Sequence, residues 1–453
     1  MKIVLTGFRG TGKTTLGRTL ASRLNLPFYD TDTMIESKAG VPVAEIFRSL
    51  GEPHFRELER EVISTLQDAD GVIATGGGAV CNSRNVEHLR KNATVILLTA
   101  DAGIIEERIR GSTRPGLTGL SPGDEVRALL TERRQAYLSA ADFCIDTGEG
   151  GVANGLWQVQ TALLHGTADP GRRRAGMTRA AGMGFTETVA HLRQNPLVRI
   201  CGIAGFPCSH SKSPALYNHL FAHYKLNWHY AFFQWHNVED LVGLVRDLDL
   251  RGLSVTIPFK QDVIPFLDEV DADAAAIGAV NTVIQCGGRL HGYNTDWLGV
   301  KIPLEHRRGA RAALLGAGGA SAAAAYALQS LEMEVTVLAR TPDKARALAE
   351  RMGCRWLPLS AFDGDNFDVV VNATPVGMEP DTSTLLSRDQ LRRGMTVFDL
   401  VYTPPETPLI REARRAGCET ICGTEMFVRQ ACEQFGLFTG IVVSPEQVRE
   451  MIA

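Results

Sequence analysis

Two groups of residues in this 453-residue chain have types and spacings that could do chemistry. The first is GFRGTGKT, Gly7–Thr14, which fits GxxxxGK(S/T) in full and overlaps the end of the apolar run KIVLTG. In such a loop the backbone N–H groups of Gly10, Thr11 and Gly12 turn toward an anion, and the start of a helix adds partial positive charge. Lys13 then reaches the outer phosphates of a nucleoside triphosphate. Thr14 and Thr15 stand in the first helical turn, Thr14 as a Mg2+ ligand. The second group lies far downstream. LSVTIPFK (253–260) carries Thr256 and Lys260, GAVNTV (278–283) carries Asn281, HGYNTDWLG (291–299) carries Asp296, and GFPCSHSKSP (205–214) carries Ser211 and Ser213. Read singly, Lys260 is an exposed lysine and Asp296 a turn aspartate. Brought together from neighbouring strand ends, they supply a proton donor beside a carbonyl and a partner to orient it.

Beyond both lies a second glycine loop, LLGAGGAS (314–321), with Gly316, Ala317, Gly318, Gly319 and Ala320 opening an alanine-rich helix. The pattern GxGxxG would need glycine at Ser321. About two dozen residues after Gly316, an NAD-binding fold carries an acid for the ribose 2′-hydroxyl. Here stand Arg340 and Thr341, with Lys344 close behind. Cations there suit a 2′-phosphate, so NADP(H) is expected over NAD(H).

The elements that must position these loops are legible as short apolar runs: 2–7, 71–78, 93–100, 198–205, 250–257, 310–319, 334–340, 367–375 and 395–402. Helical patterns such as KTTLGRTLASRLN alternate with them, which predicts α/β domains on parallel sheets. Hydrophobic residues at 44% and charged residues at 22% are those of a globular protein, and 453 residues exceed one core, since domains run to about 100–200 residues. A net charge of −4 gives no signal for nucleic acid. No run approaches the roughly 20 apolar residues of a membrane span, and the N-terminus is not a signal peptide. The nine cysteines are odd in number, scattered and without a CxxC pair. Reduced thiols in a cytoplasmic protein are expected.

Further motifs accompany the first loop. FYDTD (28–32) carries Asp30 and Asp32, FRELE (55–59) carries Arg56 and Glu59, and TGGGAV (75–80) carries Gly77 and Gly78. STRPG (112–116) carries Arg114, and ERRQAY (132–137) carries Arg133. With these motifs in this order, the first 165 or so residues resemble shikimate kinase. The resemblance implies ATP and Mg2+ as cofactors and Asp32 as the group that takes the proton of the shikimate 3-hydroxyl. Arg56 and Arg133 pair with the substrate carboxylate, a sound use of the bidentate guanidinium. Gly77 and Gly78 pack against the ring, and Arg114, in a lid around 111–124, closes on the phosphates. The lid reads RPGLTG where the family commonly has Arg-Pro-Leu-Leu. Another small-metabolite P-loop kinase, of the gluconate or adenylate type, is the rival reading.

Residues 198–453 resemble shikimate dehydrogenase through HSKSP, VTIPFK, GAVNT, YNTDWLG, GAGGAS, NATPVGM (372–378), DLVYTPPETPL (399–409) and GTEMFVRQA (423–431). The resemblance implies Lys260 and Asp296 as the catalytic pair. Ser211, Ser213 and Tyr402 hold the carboxylate, and Thr256, Asn281 and Gln430 bind ring hydroxyls. Met426 borders the nicotinamide, Thr374 joins the NADP-binding set, and Arg340 meets the 2′-phosphate. Three positions depart from the family's usual residues: Ser254 and Ala339, both commonly Asn, and Ala322, commonly Arg.

The expected architecture is therefore α/β throughout. A P-loop NTPase-type three-layer domain with a parallel sheet (1–166) precedes a linker (167–184). A dehydrogenase substrate-binding subdomain (185–303) and an NADP-binding Rossmann subdomain (304–423) follow, and C-terminal helices (424–453) pack back on the substrate subdomain. The linker, HGTADPGRRRAGMTRAAGMG (165–184), holds Pro170, several glycines and Arg172, Arg173 and Arg174. It is expected to be flexible, so that cleavage there releases two active fragments; an electrostatic docking role for the arginines is the alternative. Jointly the resemblances imply NADPH-dependent reduction of 3-dehydroshikimate to shikimate, then MgATP-dependent phosphorylation of shikimate. The partners are small-molecule substrates, with neither nucleic acid nor membrane, and the oligomeric state is open, a homo-oligomer included. The alternatives are a quinate/shikimate dehydrogenase joined to a small-metabolite kinase, and a non-catalytic regulator descended from such enzymes.

Overall fold

A computed structural model describes residues 1–110, 118, 120–148, 151–165 and 169–452. Arg114 and most of the expected lid lie outside the described residues. Three sheets follow one another along the chain. The first contains β1 (Lys2–Thr6), β2 (Phe28–Asp30), β3 (Gly71–Ala74), β4 (Ala93–Thr99) and β5 (Phe143–Asp146), in the order β2-β3-β1-β4-β5. All its pairings are parallel. Every residue of β1 is buried, as a central strand covered by helices on both faces requires.

The second sheet contains β6 (Arg199–Gly205), β7 (Trp228–Gln234), β8 (Gly252–Val255), β9 (Glu269–Val270), β10 (Thr282–Cys286) and β11 (Arg289–Tyr293), ordered β7-β6-β8-β10-β11-β9. It is not the parallel sheet expected. β10 runs antiparallel to both β8 and β11, because Gly287 and Gly288 close a two-residue hairpin with positive φ at both positions. The third sheet contains β12 (Arg311–Leu315), β13 (Glu334–Ala339), β14 (Arg355–Pro358), β15 (Val369–Asn372), β16 (Thr396–Asp399) and β17 (Glu419–Ile421). Its order, β14-β13-β12-β15-β16-β17, is parallel throughout and reverses direction on either side of β12, where a dinucleotide crevice forms.

Within the expected linker, the described residues from 169 on are not a loose connection. Pro170–Gly182 is a helix, begun by the Asp169 side chain accepting from the Arg172 N–H, with Pro170 in the first turn where its missing N–H costs nothing. Arg172 and Arg179 both pair with Asp247, at 2.9 and 3.2 Å. Gly176 permits the close approach, since a Cβ there would sit 2.7 Å from the Asp247 Cβ. Arg172 and Arg179 thus dock this helix on the dehydrogenase half.

The two halves share a core. Val86, Leu89, Tyr137 and Ala140 of the first half pack in one apolar cluster with Tyr217, Phe221, Phe435 and Phe438 of the second. Arg251, 1% exposed, lies at the seam. It donates to the carbonyls of Phe438 (2.8 Å) and Leu437 (3.4 Å) in the last turn of the helix Gly423–Thr439, to Leu138 (2.5 Å) in the last turn of the helix Pro122–Ala140, and to Gln285 (3.1 Å). Arg90 lies over the Trp228 ring, 4.9 Å from its centroid, and Arg199 over Phe143 at 4.7 Å. Arg134 pairs with Glu269 at 2.5 Å, and the Tyr293 hydroxyl donates to Gln135 at 2.5 Å. Cys144 of β5 and Cys286 of β10 form a disulfide across the same seam, with Cα atoms 6.0 Å apart. This pair corrects the expectation that every cysteine is a free thiol. The bond joins positions 142 apart, and only the folded arrangement of the two halves brings them together.

Replacing Arg251 by Met should leave carbonyls of both helices unpaired and buried, at about 1–3 kcal/mol each. Thermal inactivation of the two activities should then move to lower temperature together. If only one shifts, Arg251 does not tie the two halves.

Candidate active sites

The first site grows from the C-terminal ends of β1, β2 and β3. β1 leads into the loop, and the helix Lys13–Leu24 starts immediately after it. Gly12 has φ +88°, a left-handed conformation that a side chain would resist, and a Cβ there would meet nothing within 4 Å. The loop is therefore an open cradle of the shape a phosphate chain needs. Lys13 Nζ donates to the carbonyls of Gly7 and Phe8, both at 2.8 Å, which holds its charge inside the loop. Thr11 is buried and bonds back to Phe8 at 2.8 Å, while Thr14 and Thr15 are exposed at the helix start. The Thr14 hydroxyl donates to Asp30 Oδ2 at 2.7 Å, and Asp30 also accepts from the N–H of Asp32 and Thr33. A hydroxyl beside a fixed carboxylate suits a divalent cation; the sequence reading took only Thr14 for this.

Next to the loop, Asp32, Arg56, Gly77, Gly78 and Arg133 line one cavity. Phe47 and Phe55 form an apolar wall of it, and Arg9 and Glu59 also line it. Arg56 is clamped by Glu59 (3.0 Å) and Glu52 (2.8 Å). Glu59 is 1% exposed, and burial pushes its carboxyl above the usual range although the Arg56 guanidinium pulls it down. Gly78 lies against Arg56, whose guanidinium nitrogens would be 2.6 and 2.8 Å from a Cβ there. Arg133 Nη1 reaches the Gly77 carbonyl at 3.5 Å, and the Tyr137 hydroxyl donates to the same oxygen. Sequence reading paired Glu59 with Arg56 but gave it no place in the site. Its signal was the i, i+3 spacing, which puts both on one helix face.

The second site lies where the second and third sheets meet. Lys260 Nζ donates to Asp296 Oδ2 at 2.6 Å, and Asn281 Nδ2 donates to Asp296 Oδ1 at 2.8 Å. Asn281 also binds Thr295, donating to its hydroxyl at 3.0 Å and accepting from its N–H at 2.9 Å. Thr295 escaped the sequence reading. Thr256 follows β8 and packs on Gly205 at the end of β6, and Phe206 donates its N–H to the Ile257 carbonyl at 3.1 Å. The loop of Ser211 and Ser213 thus starts beside the loop of Lys260. The Ser211 hydroxyl accepts from the Ser213 N–H at 3.2 Å. Tyr402 stacks on Phe427 with centroids 5.3 Å apart, on the helix that also carries Met426 and Gln430. Gln430 itself donates to the Phe427 carbonyl at 3.2 Å. Ser254 sits behind this site, accepting from Tyr230 at 2.6 Å and donating to the buried Gln434 at 2.8 Å. The serine is thereby accounted for by packing.

The third sheet carries the dinucleotide cradle. Gly318 and Gly319 are exposed beyond β12, and a Cβ on either would meet nothing within 4 Å. Gly316 abuts Thr374, and Ala317 and Ala320 are half-buried beside the helix start. Ser321 replaces the third glycine of the pattern, and its hydroxyl accepts from the Gly318 N–H at 3.1 Å. Arg340, Thr341 and Lys344 are exposed at the end of β13, with the charge of Arg340 acting on Asp381. Asp399 is buried beneath, accepting from Asn372, Thr407 and the Val401 N–H; burial pushes its carboxyl up to about 6.

Both halves of the chain match known protein families. The family model described as shikimate kinase matches residues 9–159. Models for the shikimate dehydrogenase substrate binding domain, for shikimate / quinate 5-dehydrogenase and for the shikimate 5'-dehydrogenase C-terminal domain match 203–283, 300–400 and 423–450. A shikimate dehydrogenase (NADP(+)) of Pyrococcus abyssi is 40% identical over 261 residues, 56% of this chain and 97% of that protein. The chloroplastic bifunctional 3-dehydroquinate dehydratase/shikimate dehydrogenase of Arabidopsis thaliana is 38% identical over 56% of this chain and 46% of its own length. The structure of the Thermus thermophilus shikimate 5-dehydrogenase with NADP(H) and shikimate superposes with a TM-score of 0.52 at 35% identity, covering 56% of this chain and 98% of that one. A quinate dehydrogenase from Corynebacterium glutamicum with NAD reaches 0.54 at 31% identity, over 56% and 98%. The chain therefore belongs to the shikimate dehydrogenase family, with a shikimate kinase domain joined in front of it.

Proposed function

We propose that this chain catalyses two consecutive reactions. Its C-terminal half reduces 3-dehydroshikimate to shikimate with NADPH, and its N-terminal half phosphorylates shikimate at the 3-hydroxyl with MgATP. The observation that carries this reading is the 2.6 Å Lys260–Asp296 pair, in the same chain as a cavity where Asp32, Arg56 and Arg133 converge beside a phosphate loop. Chain order is the reverse of reaction order. In this reading residues 1–166 form the kinase, and the dehydrogenase begins at 185.

When bound, NADPH supplies a hydride and MgATP a phosphoryl group. Lys260 gives a proton to the carbonyl oxygen of 3-dehydroshikimate, with Asp296 and Asn281 fixing where Nζ points. Ser211, Ser213 and Tyr402 hold the carboxylate, and Thr256, Asn281 and Gln430 hold the ring hydroxyls. Gly316 to Ala320, Thr374 and Met426 hold the dinucleotide, with Arg340, Thr341 and Lys344 at its 2′-phosphate. In the kinase, Asp32 takes the proton of the 3-hydroxyl, and Arg56 and Arg133 grip the carboxylate between Gly77, Gly78 and the aromatic wall. Gly10 to Thr15 hold the phosphates, Thr14 holds Mg2+ with Asp30 beside it, and Arg114 completes the phosphate site. The reading includes a cytoplasmic location. Among the described residues no helix is long and apolar enough to cross a membrane. Quinate offered in place of shikimate separates this reading from a quinate-preferring dehydrogenase.

Purified protein given 3-dehydroshikimate, NADPH and MgATP should accumulate shikimate 3-phosphate. Lys13→Ala should stop the sequence at shikimate, leaving NADPH oxidation within about twofold of the parent. Loss of both activities in a folded variant would sink the assignment of separate sites. Arg340→Ala should raise KM for NADP by about tenfold or more and leave KM for shikimate nearly unchanged, since a charge-assisted hydrogen bond is worth about 1.5–3 kcal/mol. An unchanged KM for NADP would remove Arg340 from the 2′-phosphate. The pH profile tests Glu59. Its raised carboxyl is ionised above its own titration and gains a proton on acidification before an exposed glutamate does. Arg56 then loses one of its two anchors, so kinase kcat/KM for shikimate should fall toward acid pH. Glu59→Gln should flatten that limb and raise KM at neutral pH; a limb that survives belongs to another group.

A further inference from the structure

Away from both sites, Glu187 and His191 lie one turn apart on the helix Thr186–Gln194. The i, i+4 spacing puts them on one face. His229 lies on β7, the edge strand of the second sheet. The helix is seated on that strand by Val189 and Leu192, which pack in one cluster with Ala231 and Phe233, and by Phe185 edge-on to Phe233 at 5.2 Å. One carboxylate oxygen and two imidazole nitrogens from these three residues all lie within 4.8 Å of one another. We propose that Glu187, His191 and His229 bind a divalent transition-metal ion of the zinc class, with water in the remaining position.

The donor set is two imidazoles and a carboxylate, which suits zinc and its neighbours and does not suit calcium or magnesium. Around a tetrahedral zinc with bonds of about 2.1 Å, ligand atoms stand about 3.4 Å apart. Adjustments of about 1 Å per side chain therefore close the site. The hydrogen bonding of His191 already favours it. His191 Nδ1 lies 3.0 Å from the Glu187 carbonyl oxygen, which can only accept. Nδ1 thus donates to that carbonyl, the kind of second hydrogen bond that orients a metal-binding imidazole. The two rings are stacked, 4.0 Å between centroids and 12° between planes. Stacked planes cannot both contain one ion, so binding must splay the rings. Glu187 is exposed and His191 only half-buried, which leaves them room to turn. The bound ion would clip the first helix of the dehydrogenase half to its sheet edge, where among the described residues no further strand covers β7.

The test is calorimetric titration of zinc chloride into the chelator-stripped full-length protein, beside Glu187→Gln, His191→Gln and His229→Gln. The parent should bind one zinc at this site, and each variant should bind it at least about tenfold more weakly. Cobalt(II) is a second probe: the parent should give the visible absorption of a four-coordinate centre, and His191→Gln should abolish it. No binding by the parent, or binding by free cysteines that the three variants leave unchanged, overturns the proposal. Glu187→Gln alters an exposed side chain and keeps the test decisive if a histidine variant fails to fold. Both enzymatic activities should be unchanged in it.

Discussion

A guanidinium taken out of water must recover its lost hydration from the protein, and Arg251 recovers it from helix ends. The last carbonyls of a helix have no partner within the helix and carry its negative partial charge. Arg251 answers two such ends at once, one from the kinase half and one from the dehydrogenase half. Burial pushes its ionisation down to about 9, so it is still a cation at neutral pH. The helix Pro122–Ala140 carries Arg133 into the kinase site, and the helix Gly423–Thr439 carries Met426 and Gln430 into the dehydrogenase site. One buried charge thus ties together the ends of the two helices that carry these residues.

Both sites use the same device on different sheets. A polar side chain stands at the end of a strand, and a second side chain from the next strand fixes its direction. Asp30 ends β2 and holds Thr14 of the loop after β1. Lys260 lies beyond β8 and meets Asp296 beyond β11, with Asn281 just ahead of β10 completing the bond set. An ion pair of this kind is weak evidence for stability, because desolvation offsets most of the attraction. What it supplies is orientation: Lys260 has one place for its ammonium group and an anion that keeps it there.

Much of this was legible along the chain because phosphate loops and strand-end motifs are local. GFRGTGKT, VTIPFK and YNTDWLG each name their own turn, so Lys13, Lys260 and Asp296 could be singled out before any contact was known. What escaped was non-local or mixed in signal. The hairpin of β10 and β11 was announced by Gly287-Gly288, but its strands sit among site motifs and drew no separate reading. Proline and glycine read locally as breakers, so the sequence alone predicts a linker where the helix Pro170–Gly182 stands. Pro170 is instead a starter, and Gly176 a point of close contact with Asp247. The Cys144–Cys286 bond depends on how two whole halves sit, which spacing does not encode.

The shared cluster changes what the peptide connection between the halves is for. A flexible tether would be all that kept two independent enzymes together, and cutting it would set them free. Here Phe435 and Phe438 lie in the same apolar cluster as Val86 and Ala140, Arg251 grips both sides, and a disulfide crosses the seam. A chain nicked at the junction would stay one particle. The covalent join is then not what holds the kinase to the dehydrogenase; it fixes their ratio at synthesis, one of each, before any surface has met.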